Sequence, residues 1–257
     1  MKTQLTVIAT AVALAASFSA HARDYTDATM GSDATNANNT ANPVFDNLET
    51  QRASMNGFNG PAGQRTSIID QQDNGNYAEA SQGGVEQYSR IVQSGDLNEA
   101  YVEQDGEQHE SIINQVSTGA GNLAEVTQLG GYLNDSYIYQ EGENNEASVV
   151  QINNTEYSDS MIEQLGDSNK ADVTQEDNVD ETWSMISQNG SFNEAYVEQY
   201  QADMSASYIY QKGADGHLAD VYQTGQDHVS TIRQNGTMGY ANHSQAGSGN
   251  IAVTTQW

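Results

Sequence analysis

From Ser158 to Gln175 every second residue belongs to one set: Ser158, Ser160, Ile162, Gln164, then, after a four-residue gap, Asn169, Ala171, Val173 and Gln175. Alternation with period two marks a β-strand with one buried face. Two such strands are joined here by Leu165-Gly166-Asp167-Ser168, a short loop containing glycine. The strand–turn–strand returns at intervals running from 22 residues (Ser67 to Ser89) to 25 (Ser111 to Ser136). A fixed period of that size dictates a solenoid or array, because one unit cannot bury its own apolar face.

The first strand of each repeat reads Ser-x-Ile-x-Gln. The copies are Ser67, Ile69, Gln71; Ser89, Ile91, Gln93; Ser111, Ile113, Gln115; and Ser136, Ile138, Gln140. They continue as Ser160, Ile162, Gln164; Ser184, Ile186, Gln188; Ser207, Ile209, Gln211; and Ser230, Ile232, Gln234. The second strand reads Asn-x-Ala-x-Val-x-Gln and places its amides at Asn76, Gln82; Asn98, Gln104; Asn122, Gln128; and Asn145, Gln151. Further on they stand at Asn169, Gln175; Asn193, Gln199; Gln223; and Gln245, with His217 in the Asn place of the seventh repeat and His243 in the Val place of the eighth. A last strand carries Asn250, Ala252, Thr254 and Gln256. The expected fold is all-β: a β-solenoid of eight repeats plus a final strand, with two parallel sheets face to face in a cross-β arrangement.

Stacking like on like explains the residue types. Ile and Val columns form a thin dry seam, each side chain contributing about 1.5–3 kcal/mol on burial. A buried amide left unpaired costs about 1–3 kcal/mol, yet an amide stacked over an amide can donate to one neighbour and accept from the other. Ser and Ala are small enough to let the sheets approach. Glycine follows the first Gln by two places in most loops, as at Gly95, Gly142 and Gly166, where a tight turn needs positive φ. Both prolines, Pro43 and Pro61, precede the array, as an unbroken backbone ladder requires. The alternate positions, Glu99, Tyr101, Glu103 and Glu194, Tyr196, Glu198, face outward. Their stacked carboxylates are either a solvated face or a brake on lateral pairing.

Composition excludes more than it selects. Four Phe and two Trp against fourteen Tyr are too few large apolar groups for an ordinary globular core. A net charge of −27 repels nucleic acid and anionic membranes. No cysteine is present, so disulfides and thiolate metal sites are out. Carboxylates lie on outward positions and in turns, and the histidines make no metal set, so neither a catalytic site nor a cofactor or metal site is expected.

Residues 1–22 read as a secretory signal: Lys2, the apolar run Leu5 to Ala16, and a cleavage site at Ala20-His21-Ala22. An uncleaved anchor is the alternative; the mature chain has no membrane span. Residues 23–64, rich in Asn, Thr, Asp, Ala and Gly, form a disordered leader, in which Phe45, Leu48 and Phe58 are suited to capping the first repeat. The array occupies residues 65–257. Its first repeat follows a polar leader and its last strand carries no cap, which predicts head-to-tail, non-closing association.

The Ser-x5-Gln-x4-Asn-x5-Gln spacing of Ser158, Gln164, Asn169 and Gln175 resembles the curlin repeat of curli fibre subunits of Gram-negative bacteria. The resemblance covers residues 65–257 and the signal segment. It implies a secreted functional amyloid of the biofilm matrix, serving surface adhesion and cell aggregation, with itself as main partner. It also implies a surface nucleator subunit, an outer-membrane secretion channel and periplasmic chaperones. Residues 23–64 sit where curlins carry a secretion-targeting segment. The family's first Ser is replaced at Arg65, Gln87, His109, Asn134, Thr182 and His228, and eight repeats exceed the common five. The acidic regularity favours the major subunit over the minor nucleator. The competing readings are a monomeric β-solenoid adhesin or ice-binding module and, third, an enzyme on a solenoid scaffold.

Overall fold

The structure, a computed structural model, describes residues 64–213 and 216–257; the expected signal segment, with Ala20 and Ala22, and the leader up to residue 63 lie outside them. The described residues form seventeen strands, beginning β1 (Thr66–Gln71), β2 (Tyr77–Gln82), β3 (Tyr88–Ser94), β4 (Glu99–Glu107), β5 (Glu110–Val116) and β6 (Leu123–Tyr132). Next come β7 (Asp135–Glu141), β8 (Glu146–Ile152), β9 (Asp159–Leu165), β10 (Lys170–Glu176), β11 (Trp183–Gly190) and β12 (Glu194–Asp203). The last are β13 (Ala206–Gly213), β14 (Leu218–Gln226), β15 (Val229–Asn235), β16 (Tyr240–Ser248) and β17 (Ile251–Gln256).

Odd-numbered strands make a nine-stranded sheet and even-numbered strands an eight-stranded one, each in strict chain order. Every pairing is parallel. This is the β-solenoid of about eight coils that the repeat demands. Register follows the columns: Ser89 lies over Ser111, Ile91 over Ile113 and Gln93 over Gln115, while Ala171, Val173 and Gln175 lie over Ala195, Val197 and Gln199. A slip of one residue would turn every Ile and Gln to the other face, so the alternation itself holds the register. The seam between the sheets is one continuous cluster, running from Ile91 and Val102 to Ile232 and Ala241.

The turns show why their residues are what they are. Gly166 has φ of +118°, and a Cβ there would run into the carbonyl oxygen of Gly190 on the next coil. Coils at strand spacing leave no room for a side chain at that corner. The residue just before most of the turn asparagines is also left-handed, with φ of 61° at Leu97 and 59° at Phe192, which costs a non-glycine residue about 1–2 kcal/mol.

The outward positions depart from expectation on one side. The outer face of the eight-stranded sheet is acidic, with Glu79, Glu99, Glu103, Glu125, Glu194 and Glu198 at outward positions and Lys170 as the one basic residue among its described strands. On the nine-stranded sheet the outward positions are mixed, with charged residues such as Glu110, Asp135, Glu163 and Arg233 beside an apolar stretch. Met161, Trp183, Met185, Ala206, Tyr208 and Tyr210 form a second buried cluster, with Tyr137 and Val229 packed against it.

Candidate assembly surface

Alternation turns all the inward glutamines into the seam, and register puts each one over the next at hydrogen-bond distance. In the nine-stranded sheet the Nε2 of Gln71 donates to the Oε1 of Gln93 (2.7 Å). The chain of bonds then runs through Gln93, Gln115, Gln140, Gln164, Gln188, Gln211 and Gln234 to Gln256, each 2.9–3.0 Å. In the eight-stranded sheet it runs from Gln82 through Gln104, Gln128, Gln151, Gln175, Gln199 and Gln223 to Gln245. A second N–H of every ladder amide except that of Gln71 ties the strand to the opposite sheet, as from Gln93 to the carbonyl of Tyr77 (2.9 Å) and from Gln164 to that of Glu146 (2.9 Å). From Gln93 to Gln234 these amides are enclosed, whereas Gln71, Gln82 and Gln256 at the ends are not, so each interior bond stands in place of a desolvation cost.

The asparagines sit one residue ahead of their strands, in the turns, and run the other way. The backbone N–H and Nδ2 of Asn98 both donate to the Oδ1 of Asn76; Asn122, Asn145, Asn169 and Asn193 repeat this in turn. The inward serines vary. Ser160 and Ser184 donate across the seam to the Oε1 of Gln175 and Gln199, whereas the hydroxyls of Ser89, Ser111, Ser136 and Ser207 find no partner and serve by being small.

Histidine replaces an amide without breaking the ladder. The backbone N–H of Gly239 donates to the Nδ1 of His217 (3.1 Å), that of Asn134 to the Nδ1 of His109 (3.3 Å), and that of Asn250 to the Nδ1 of His228 (3.3 Å). An Nδ1 that accepts is bare, so Nε2 holds the proton. It donates to a carbonyl in each case: Lys212 for His217, Gly130 for His109, Thr224 for His228. Nδ1 thus does the work of Oδ1, and Nε2 that of Nδ2. Burial pushes the His109 imidazole down to about 4, against the pull of the Gly130 carbonyl and Asp105. In the eighth repeat His243 stands in the Val column and bridges the hydroxyls of Ser230 (2.7 Å) and Thr254 (2.8 Å).

The replacements of the family's first Ser fall on one turn column. From His109 onward several of its members act as acceptors under the next coil: Ser158 donates its N–H to the Oδ1 of Asn134, and His228 donates its N–H to the Oγ of Ser205. The first two positions do not share this role, since Arg65 carries no acceptor and the buried amide of Gln87 makes no hydrogen bond.

At the two ends the columns stop among the described residues. Ile69, inward-facing on β1, is 44% exposed, while the equivalent Ile91 is closed off completely. No described rung lies below Gln71 and Gln82, and none above Gln245 and Gln256. No cluster of three or more metal-ligating side chains occurs among the described residues, and no helix among them is long and apolar enough to cross a membrane.

Three stretches of the chain match the curlin associated repeat family: residues 73–106, 98–130 and 185–213. Over those stretches the chain is similar to the curlin repeat. The first two cover β2 through most of β6, and the third covers most of β11 through β13. The curlin columns continue at the same register through the coils between and after them. No curated protein matches the chain.

Proposed function

We propose that this chain is a secreted structural subunit, of the major curlin type, that assembles head-to-tail into extracellular curli-like amyloid fibres for biofilm matrix, surface adhesion and cell aggregation. The observation that carries this is the polarity of the glutamine ladders. All fifteen bonds point from a lower coil to the next one up. Acceptor oxygens are therefore left at the β1/β2 end and donors point out of the β16/β17 end. One end complements the other, while like ends set donor against donor. Such a heterologous contact does not close and gives filaments.

Residues 1–22 are the secretory signal and 23–64 the segment addressed to export; the surface nucleator, outer-membrane channel and periplasmic chaperones are the partners that the curlin repeat suggests. The chain beginning at Arg23, purified and held at neutral pH, is expected to form dye-binding fibres after a lag that preformed seeds abolish, with a meridional spacing near 4.7–4.8 Å. A folded β-rich monomer that persists for days at tens of micromolar would overturn this proposal and favour the monomeric adhesin.

A further inference from the structure

The two strands of a coil are near-copies eleven to thirteen residues apart, so that Ser89, Ile91 and Gln93 correspond to Ala100, Val102 and Gln104. The solenoid axis is therefore an approximate two-fold screw axis, with one strand per half-turn. The described strands number seventeen, nine in one sheet and eight in the other. An odd number has a consequence for stacking. If a second copy is set on the first in the same orientation, its β1 pairs with β17 below. The eight-stranded sheet is then left with a gap one strand wide between β16 and the second copy's β2. Backbone N–H and C=O groups on both rims of that gap have no ladder partner.

Turned by half a revolution, the second copy leaves no gap. Its β1 takes the vacant place on β16, and its β2 lies on β17. The sequence of β17 fits this placement. Although β17 lies in the sheet of Ser-x-Ile-x-Gln strands, paired with β15, it is written as a second strand: Asn250, Ala252, Thr254, Gln256. Under the half-turn it meets the second copy's second strand, Ala78 over Ala252, Ala80 over Thr254 and Gln82 over Gln256. Asn76 then stands over Asn250, whose position in the turn is that of the asparagines in the Asn ladder, so Asn76 can donate to its Oδ1 as Asn98 donates to that of Asn76. Both glutamine ladders also continue, Gln245 to Gln71 and Gln256 to Gln82.

We infer that successive subunits are related by about half a turn around the fibre axis, so that the nine-stranded sheet of one copy is continued by the eight-stranded sheet of the next. This rests on the assembly proposed above. It requires a rise of about 40 Å per subunit, half a strand spacing for each of the seventeen strands, and hence a structural repeat of about 80 Å along the filament. It also alternates the two outer faces along each side, the acidic one and then the one that holds the apolar cluster.

Cysteine pairs test it without background, because the chain has no cysteine. Val253, Glu79, Ile68 and Asn242 are all exposed outward positions on terminal strands. Neighbouring parallel strands bring aligned Cα atoms within disulfide range. In oxidised filaments, Val253→Cys with Glu79→Cys, and separately Asn242→Cys with Ile68→Cys, are expected to give a ladder of disulfide-linked multimers. The yield should be at least roughly tenfold above that of Val253→Cys with Ile68→Cys. The reverse pattern, the one expected if residues outside the described strands fill the gap, overturns the inference. So does the absence of cross-links in all three, or a helical reconstruction of unmodified filaments with no half-turn between subunits. If no filaments are seen by electron microscopy, it is the assembly proposal that fails, at a step before any cross-link is read.

Discussion

At the scale of the residue, the molecule depends on groups that both give and take a hydrogen bond along one axis. Gln164 accepts from Gln140 and donates to Gln188, so Gln164→Ala leaves two buried partners stranded, at about 1–3 kcal/mol each. Gln93→Ala and Gln245→Ala break the same ladders near an end, where a new subunit must be captured. Seeded growth, followed by dye fluorescence, is expected to slow more for the two end variants than for Gln164→Ala. Equal slowing at all three positions would remove the idea that the terminal coils set the rate. Histidine adds a pH term. His109 accepts at Nδ1 and is held near 4, against about 6.5 when unfolded. Because the unfolded chain takes up the proton first, the stability contributed at neutral pH is kept above about 6.5, declines as the pH falls toward about 4, and then levels off. The full loss is about 3 kcal/mol. His109→Asn keeps the acceptor and removes the proton site. Denaturant titrations at neutral pH and near pH 4.5 should show this variant losing less than the parent; an identical loss in both would place the acid sensitivity elsewhere.

At the scale of the strand, the two outer faces behave differently. The eight-stranded sheet stacks carboxylates coil on coil, relieved at one place where Lys170 approaches Glu146 (4.0 Å) and Asp172 (3.8 Å). Burial still raises the Asp172 carboxyl above its ordinary range, with Lys170 acting against it. If this face brakes association, the lag should shorten as ionic strength rises from about 0.01 to 0.15 M and the screening length falls from about 30 to 8 Å. It should respond less in a chain carrying Glu99→Gln, Glu103→Gln, Glu194→Gln and Glu198→Gln. A lag indifferent to salt in the parent would leave these carboxylates as a solvated face and nothing more. The acidic face was legible in the sequence because its residue type repeats. The inward columns were legible for a stronger reason: stacking in register places like on like, so the physical demand at each position is written eight times over. The apolar stretch on the outer side of the nine-stranded sheet was hidden because its occupants share only a character. Ile112, Tyr137, Met161, Met185 and Tyr208 follow one another in register, three residue types in one column. His217 and His109 looked like departures for the converse reason, since the residue type changed and the hydrogen-bond role did not.

At the scale of the whole molecule, what matters is that the two ends differ. The β1/β2 end shows Ile69 and the acceptors of Gln71 and Gln82; the β16/β17 end shows Thr254 and the donor side of Gln245 and Gln256. A lysine placed inward at one end buries an unpaired charge in any contact made there, a cost of several kcal/mol, and leaves the other end untouched. Ile69→Lys is therefore expected to block only the lower end and Thr254→Lys only the upper, so that neither variant alone forms filaments. Mixed, they retain one sound interface between them, the lower end of the Thr254→Lys chain on the upper end of the Ile69→Lys chain. The mixture should give a discrete one-to-one dimer, read by light scattering behind size exclusion, with no growth beyond it. Association through like ends predicts the opposite: each variant would dimerise by itself through its intact end, and mixing would add nothing. Because the glutamine bonds all run one way, from β1 towards β17, only the first outcome lets every glutamine across the junction both donate and accept.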